Sequence, residues 1–203
     1  ALFQNVRTAL QKHLSGRLST YGATFTRFVY GVPLALLYVL FLHRGLGMEL
    51  PRTDLPFLLW VLLGGTSQIL ATAALLASFK QRNFAVGTAL SKSEVVQAAL
   101  FALLFLGEGV TALGVAAIVL ATFGVMLMVL DKGQLGVRGL LLGLKGRAAL
   151  LGLASGGLFA ISSVSFRAAA LQTGHDSFLM AAGWTLLASV LLQTLLLGVW
   201  LSW

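Results

Sequence analysis

The side chains with chemistry to offer in this sequence stand where chemistry is expensive. Arg7, Arg27, Lys92 and Glu94 fall within or near the ends of apolar stretches, where insertion of an ionised group costs about 3 kcal/mol. Gln4 and Gln11 stand three and four positions from Arg7, and Thr8 stands four from Gln4 and three from Gln11, so one face of a helix there is a continuous polar stripe. Lipid cannot solvate such a face, which should turn to a bundle interior or a water-filled cavity. A guanidinium in that setting can hold a carboxylate through two parallel hydrogen bonds. Further along, Ser91, Glu94 and Gln97 follow at a spacing of three. Lys92 lies about 200° from Glu94 around an ideal helix, so the two charges share a cavity only if the helix is locally unwound.

Arg7, Arg27 and Lys92 against Glu94 leave an intramembrane excess of 3 − 1 = 2 positive charges. Uncompensated charge in a low-dielectric bundle calls for an anionic or zwitterionic ligand. The candidate substrate contacts are therefore Gln4, Arg7, Gln11, Arg27 and Lys92. Glu94 is the only acidic residue well inside a predicted span and is the proton-coupling candidate. Two plainer readings stand beside these: Arg27, about two turns into its helix, can snorkel to the interface, and Arg7 can pair with Glu94 for assembly alone.

Other chemistries find no footing. The chain has no cysteine, hence no disulfide framework and no thiolate ligand, and His13, His43 and His175 fall in or beside predicted connections, so no metal site or cofactor is called for. Ser155-Gly156-Gly157 has no histidine or acidic residue at matching depth to activate the serine. No glycine-rich phosphate loop ending in Lys and Ser or Thr is present. The net charge of +8 is divided between short connections and isolated positions rather than gathered in a stripe, which fits basic loops beside an anionic leaflet and argues against nucleic acid.

The elements that must carry these residues are membrane helices. Of 203 residues, 58% are hydrophobic and 10% charged, too few polar groups to clothe a water-soluble globule. A helix of about 20 residues crosses the hydrocarbon core, and seven segments are predicted: 1–14, 20–42, 56–79, 84–106, 109–130, 149–172 and 177–203. The expected fold class is thus an all-α polytopic transmembrane bundle. Gly31 with Pro33 bends the second segment, Gly64-Gly65-Thr66-Ser67-Gln68 interrupts the third, and Gly152 with Gly156 forms a small-residue contact face. Ser162, Ser163 and Arg167 mark the sixth, and small and hydroxylated residues of this kind are close-packing surfaces more often than binding groups. Trp60, Trp184, Trp200 and Trp203 include interfacial anchors. The connection 131–148 is either a short interfacial helix or a solvated linker, and it divides the chain into 1–130 and 149–203. A faint echo of Leu2-Phe3 in Leu158-Phe159 supports that division. The first segment is shorter than a span and the seventh runs into Trp203, so both ends are expected to be cut.

Lys and Arg number eight in the odd-numbered connections (Lys12, Arg17, Lys80, Arg82, Lys132, Arg138, Lys145, Arg147) and two in the even ones (Arg44, Arg52). By the positive-inside rule the stretches 15–19, 80–83 and 131–148 are cytoplasmic.

Several stretches together resemble a known family. A first helix with a small and polar face ends in Lys12; Thr26-Arg27-Phe28, with Pro33 behind it, opens the second; Asn83-Phe84-Ala85-Val86-Gly87-Thr88-Ala89-Leu90 opens the fourth. Most specific is Leu104-Phe105-Leu106-Gly107-Glu108, followed by Gly114, Ile118 and Gly124-Val125. These are similar to the EamA-type family of the drug/metabolite transporter superfamily. The resemblance implies ten helices in two inverted five-helix repeats. Residues 1–130 would be the first repeat, its start truncated, 131–148 the inter-repeat connection, and 149–203 the first two helices of the second, with three more to follow. It implies a secondary transporter in a bacterial cytoplasmic (inner) membrane, an exporter of a small polar metabolite, amino acid or drug working by alternating access. Its energy would come from a proton or counter-substrate gradient. Glu108 would cap the fifth helix. Many relatives carry a proline in the fourth helix, where this chain has Ser91-Lys92-Ser93-Glu94. The rival from another class is a seven-helix scaffold or receptor-like unit that transports nothing. An intramembrane enzyme is disfavoured by the missing catalytic constellation.

Overall fold

Lipid offers a main chain no hydrogen-bond partners, so apolar segments must satisfy their own amides and carbonyls as helices. The computed structural model describes residues 20–79, 84–107, 109, 111–129 and 146–202, and their apolar stretches are helical. In chain order the helices are α1 (Thr20–Val29), α2 (Gly31–Leu40), α3 (Leu55–Phe79), α4 (Phe84–Ser91), α5 (Glu94–Leu106), α6 (Ala112–Val129), α7 (Arg147–Gln172) and α8 (Phe178–Ser202). Among the described residues, four stretches are long and apolar enough to cross a bilayer: Thr24–Gly45, Leu55–Phe79, Arg147–Gln172 and Phe178–Ser202. Their outer faces carry exposed leucines such as Leu34, Leu58 and Leu195, a surface that lipid matches and water does not. The protein is an integral membrane protein with a polytopic all-α fold. Gln4, Arg7, Gln11, Glu108 and the stretches 15–19, 80–83 and 131–145 lie outside the described residues.

The chain divides into two units, with boundaries at Ile69/Leu70 in α3 and at Val164/Ser165 in α7. In the first unit, α8 packs along α1 and α2. Ala35, Val39, Leu42, Met180, Leu187 and Val190 form one buried cluster there, and Phe57, Val61 and Ala169 another. The second predicted segment is two helical pieces meeting at Tyr30, because Pro33 has no N–H to give the carbonyl of Val29. Beyond it the chain loosens into a π-turn, Phe41–Gly45, and leaves through Gly47 at φ +68°. There the Met48 N–H donates to the Leu42 carbonyl at 3.2 Å, and the His43 ring donates from Nδ1 to the Met48 carbonyl at 2.7 Å. Asp54 caps α3, its Oδ1 accepting from the Phe57 N–H at 2.9 Å, with Pro56 in the first turn where no amide is missed. Trp184 ties α8 to this connection by donating from Nε1 to Thr53 Oγ1 at 3.3 Å.

The expected interruption at Gly64–Gln68 is absent, for α3 runs unbroken through it. The glycines instead make room for neighbours: a Cβ on Gly64 would lie 2.6 Å from the Phe166 ring, and one on Gly65 3.2 Å from Leu192. Within the unbroken helix Thr66 donates its hydroxyl to the Leu62 carbonyl at 2.8 Å.

In the second unit, the fourth predicted segment, expected as one helix, breaks at Lys92–Ser93 into α4 and α5. Serine hydroxyls make the break by taking backbone carbonyls. Ser91 Oγ donates to Thr88 O at 2.8 Å, and Ser93 Oγ to Leu90 O at 2.6 Å. Ser93 Oγ in turn accepts from Gln97 Nε2 at 2.7 Å. At the far end Gly107 closes α5 at φ +64°. The N-cap of α6 is Thr111, whose Oγ1 accepts from the Gly114 N–H at 3.1 Å. Glu108, expected as a cap of this helix, is outside the described residues. α6 packs on α4 and α5.

Candidate functional site

A cavity of about 740 Å³ opens within the first unit, a size suited to a small metabolite. Arg27 reaches it from the last turn of α1, its guanidinium carbon 5.4 Å from the centroid of the Phe28 ring, close enough for the ring face to stabilise the cation. Gln68 comes from α3, and Phe166 and Arg167 from α7. His175 and Asp176, in the α7–α8 connection, and Thr185 and Ser189, on α8, complete the polar lining.

Each polar group is held by local geometry. His175 Nδ1 accepts from the Ser177 N–H at 3.0 Å, and its Nε2 lies 3.0 Å from the Glu49 carbonyl oxygen, so Nε2 carries the proton and the ring is neutral. Thr185 donates its hydroxyl to Ala181 O at 2.9 Å and Ser189 donates to Leu186 O at 2.8 Å. With their hydrogens committed to α8, both hydroxyls offer the cavity lone pairs. Gln68 is gripped from behind: Gln193, fully buried, donates from Nε2 to Gln68 Oε1 at 2.6 Å and to Gly65 O at 3.3 Å. The two arginines against Asp176 give the lining a formal charge of +2 − 1 = +1, with His175 neutral.

Of the residues expected from the sequence, Arg27 lines this cavity. Lys92 and Glu94 belong to the second unit, at the helix break. Lys92 is exposed in the turn, and Glu94 is the first residue of α5, half-buried, with Oε1 accepting from Ser163 Oγ at 3.2 Å. Gly152 and Gly156 are a helix contact as read: a Cβ on Gly152 would overlap the main chain of Gly87, and one on Gly156 would lie 3.1 Å from the Ser91 carbonyl. Gln97 lies across this glycine face, 2.7 Å from where a Gly157 Cβ would stand. Sequence reading missed Gln68, Asp176, Thr185, Ser189 and Gln193, and treated Arg167 as a landmark only. A signal was there: Thr185, Ser189 and Gln193 recur every four residues, the repeat of one helix face.

Residues 1–130 match the EamA-like transporter family. The chain belongs to that family. It is therefore part of the drug/metabolite transporter superfamily and a membrane transporter of that type, in a family of transporters rather than enzymes. No curated protein and no solved structure matches the sequence significantly. For an EamA-type chain, a metabolite-sized cavity with two arginines, a carboxylate and aromatic faces has the chemical make-up of a solute site.

Proposed function

We propose that this EamA-type protein exports a small metabolite bearing a carboxylate, an amino acid or a close relative, through the cavity of the first unit. The observation that carries the reading is the presence of Arg27, Arg167 and Asp176 in the lining of one cavity. A guanidinium grips a carboxylate through paired hydrogen bonds, while Asp176 and the lone pairs of Thr185 and Ser189 suit the ammonium of a zwitterion. The apolar remainder, including Phe28, Phe166 and Val190, suits a hydrocarbon side chain. Outward transport, a bacterial cytoplasmic membrane and the division into repeats at 1–130 and 149–203 are supported by the family resemblance.

Gln4, Arg7 and Gln11 join this reading through the sequence alone, as a polar stripe that needs an interior partner. Lys92 remains a candidate contact through its position in the helix break, and Glu94 the candidate for proton coupling, now with a hydroxyl partner in Ser163. The test is efflux of a radiolabelled amino acid from preloaded cells. Arg27→Lys keeps the charge but loses the fork and should slow efflux about tenfold, with Arg27→Ala slower still. Equal efflux by wild type, Arg27→Lys and Arg27→Ala would remove the cavity from the transport route.

A further inference from the structure

We propose that Gln193 sets the polarity of this cavity by orienting the amide of Gln68, so that the site takes carboxylates and rejects the matching neutral amides. The proposal rests on the reading of the cavity as the substrate chamber. Gln193 Nε2 faces two oxygens, Gln68 Oε1 and Gly65 O. The Gly65 main-chain carbonyl can only accept, so an inverted Gln193 amide would set oxygen against oxygen there, and that partner fixes which end of Gln193 faces Gln68. It follows that Gln68 turns its oxygen to Gln193 and its N–H₂ end away from it. Gln68 is also a cavity-lining residue, where that N–H₂ end would give the lining donor character. An unconstrained amide could turn either end to a ligand. Gln193 removes that choice.

A second observation separates this role from plain helix assembly. Among the described residues, Gln193 Oε1 is buried and has no hydrogen-bond partner. An unmet acceptor in the interior carries a desolvation cost, and an apolar pair at the same contact would avoid it. What Gln193 alone supplies is a directed donor to Gln68. It is a positioning residue, acting on the substrate through Gln68.

The experiment compares L-leucine with L-leucinamide, which differ in the group that Arg27, Arg167 and Gln68 would read together. Binding of both is measured on the purified full chain in nanodiscs, for wild type, Gln193→Met, Gln68→Met and the double variant. Methionine keeps the length and cannot donate. Wild type should favour leucine, and Gln193→Met should lower the leucine-to-leucinamide ratio about tenfold with little change in melting temperature. In the Gln68→Met background the Gln193→Met change should have no further effect on the ratio. A wild-type ratio in Gln193→Met, or an undiminished effect when Gln68 is already gone, overturns the positioning role and leaves the chamber standing. Failure of wild type to bind leucine, leucinamide or any other proteinogenic amino acid overturns the chamber and this proposal with it.

Discussion

The hydroxyl of Ser155 on α7 donates to the main-chain carbonyl of Ala71 on α3 at 2.9 Å, with Ser155 wholly buried. The bond is a modest one by the standards of membrane interiors, about 0.6 kcal/mol on average and up to about 1.7. Three residues earlier on the same helix, Gly152 meets the main chain of Gly87 so closely that no Cβ fits. Close backbone packing, more than the hydrogen bond, should therefore hold α7 in place.

Ser155→Ala should cost about 1 kcal/mol and leave the protein folded. Gly152→Leu should cost about 3 kcal/mol or more and sharply reduce the folded fraction. Thermal unfolding followed by size-exclusion chromatography in detergent ranks the two, and the reverse order would count against glycine packing as the main restraint.

The helix break at Lys92–Ser93 makes its own distinction. Glu94 is the first residue of α5, where the N–H that proline lacks has no helical partner; Ser93 before it is helical, at φ −63° and ψ −8°, so the clash with the preceding residue is common to Glu94 and Ala98. Ala98 is in the helix interior, where proline costs about 3 kcal/mol. Glu94→Pro should be recovered at a folded yield well above that of Ala98→Pro. Similar yields would mean that 84–106 behaves as one helix.

How much of this was legible beforehand depended on whether the signal was local. Helix positions were readable because apolar length alone decides them in lipid, and the Gly152/Gly156 contact because small residues at that spacing have few other uses. The break at Lys92 was half visible, since Lys92 and Glu94 could not share a face on a regular helix. The serine-to-carbonyl bonds that produce it depend on rotamers and leave no periodic trace. Gly64–Gln68 carried two readings, an interruption and a close-packing surface, and α3 shows the packing. Arg27 was identifiable as a charge in an apolar stretch. Arg167 and Gln68 become site residues only once α1, α3, α7 and α8 surround one cavity, and no single segment of sequence contains that information.

Glu94 offers a test of energy coupling. If it carries the proton, Glu94→Gln should keep the fold and retain substrate exchange across the membrane, while losing accumulation against a gradient imposed by pH. The comparison is between counterflow and pH-driven flux in proteoliposomes, and unimpaired pH-driven flux in Glu94→Gln would assign the proton elsewhere.

Membrane orientation follows from the count of eight basic residues against two. The chain contains no native cysteine, so Arg82→Cys and Arg138→Cys are free of background. Both should resist an impermeant thiol reagent in intact cells and react after permeabilisation. Labelling of either one in intact cells would invert the assignment.

Binding of an exported solute's carboxylate by Arg27 and Arg167 is tested most directly by tolerance to toxic amino-acid analogues. Cells expressing the wild-type protein should survive higher concentrations of at least one carboxylate-bearing analogue, and gain nothing against its amide. Arg27→Ala and Arg167→Ala, at membrane abundance equal to wild type, should each abolish that gain, with Arg27→Lys retaining part of it. Full tolerance in the Arg27→Ala/Arg167→Ala double variant would contradict the account, because a chamber whose two guanidinium groups can be deleted without consequence is not where the substrate binds.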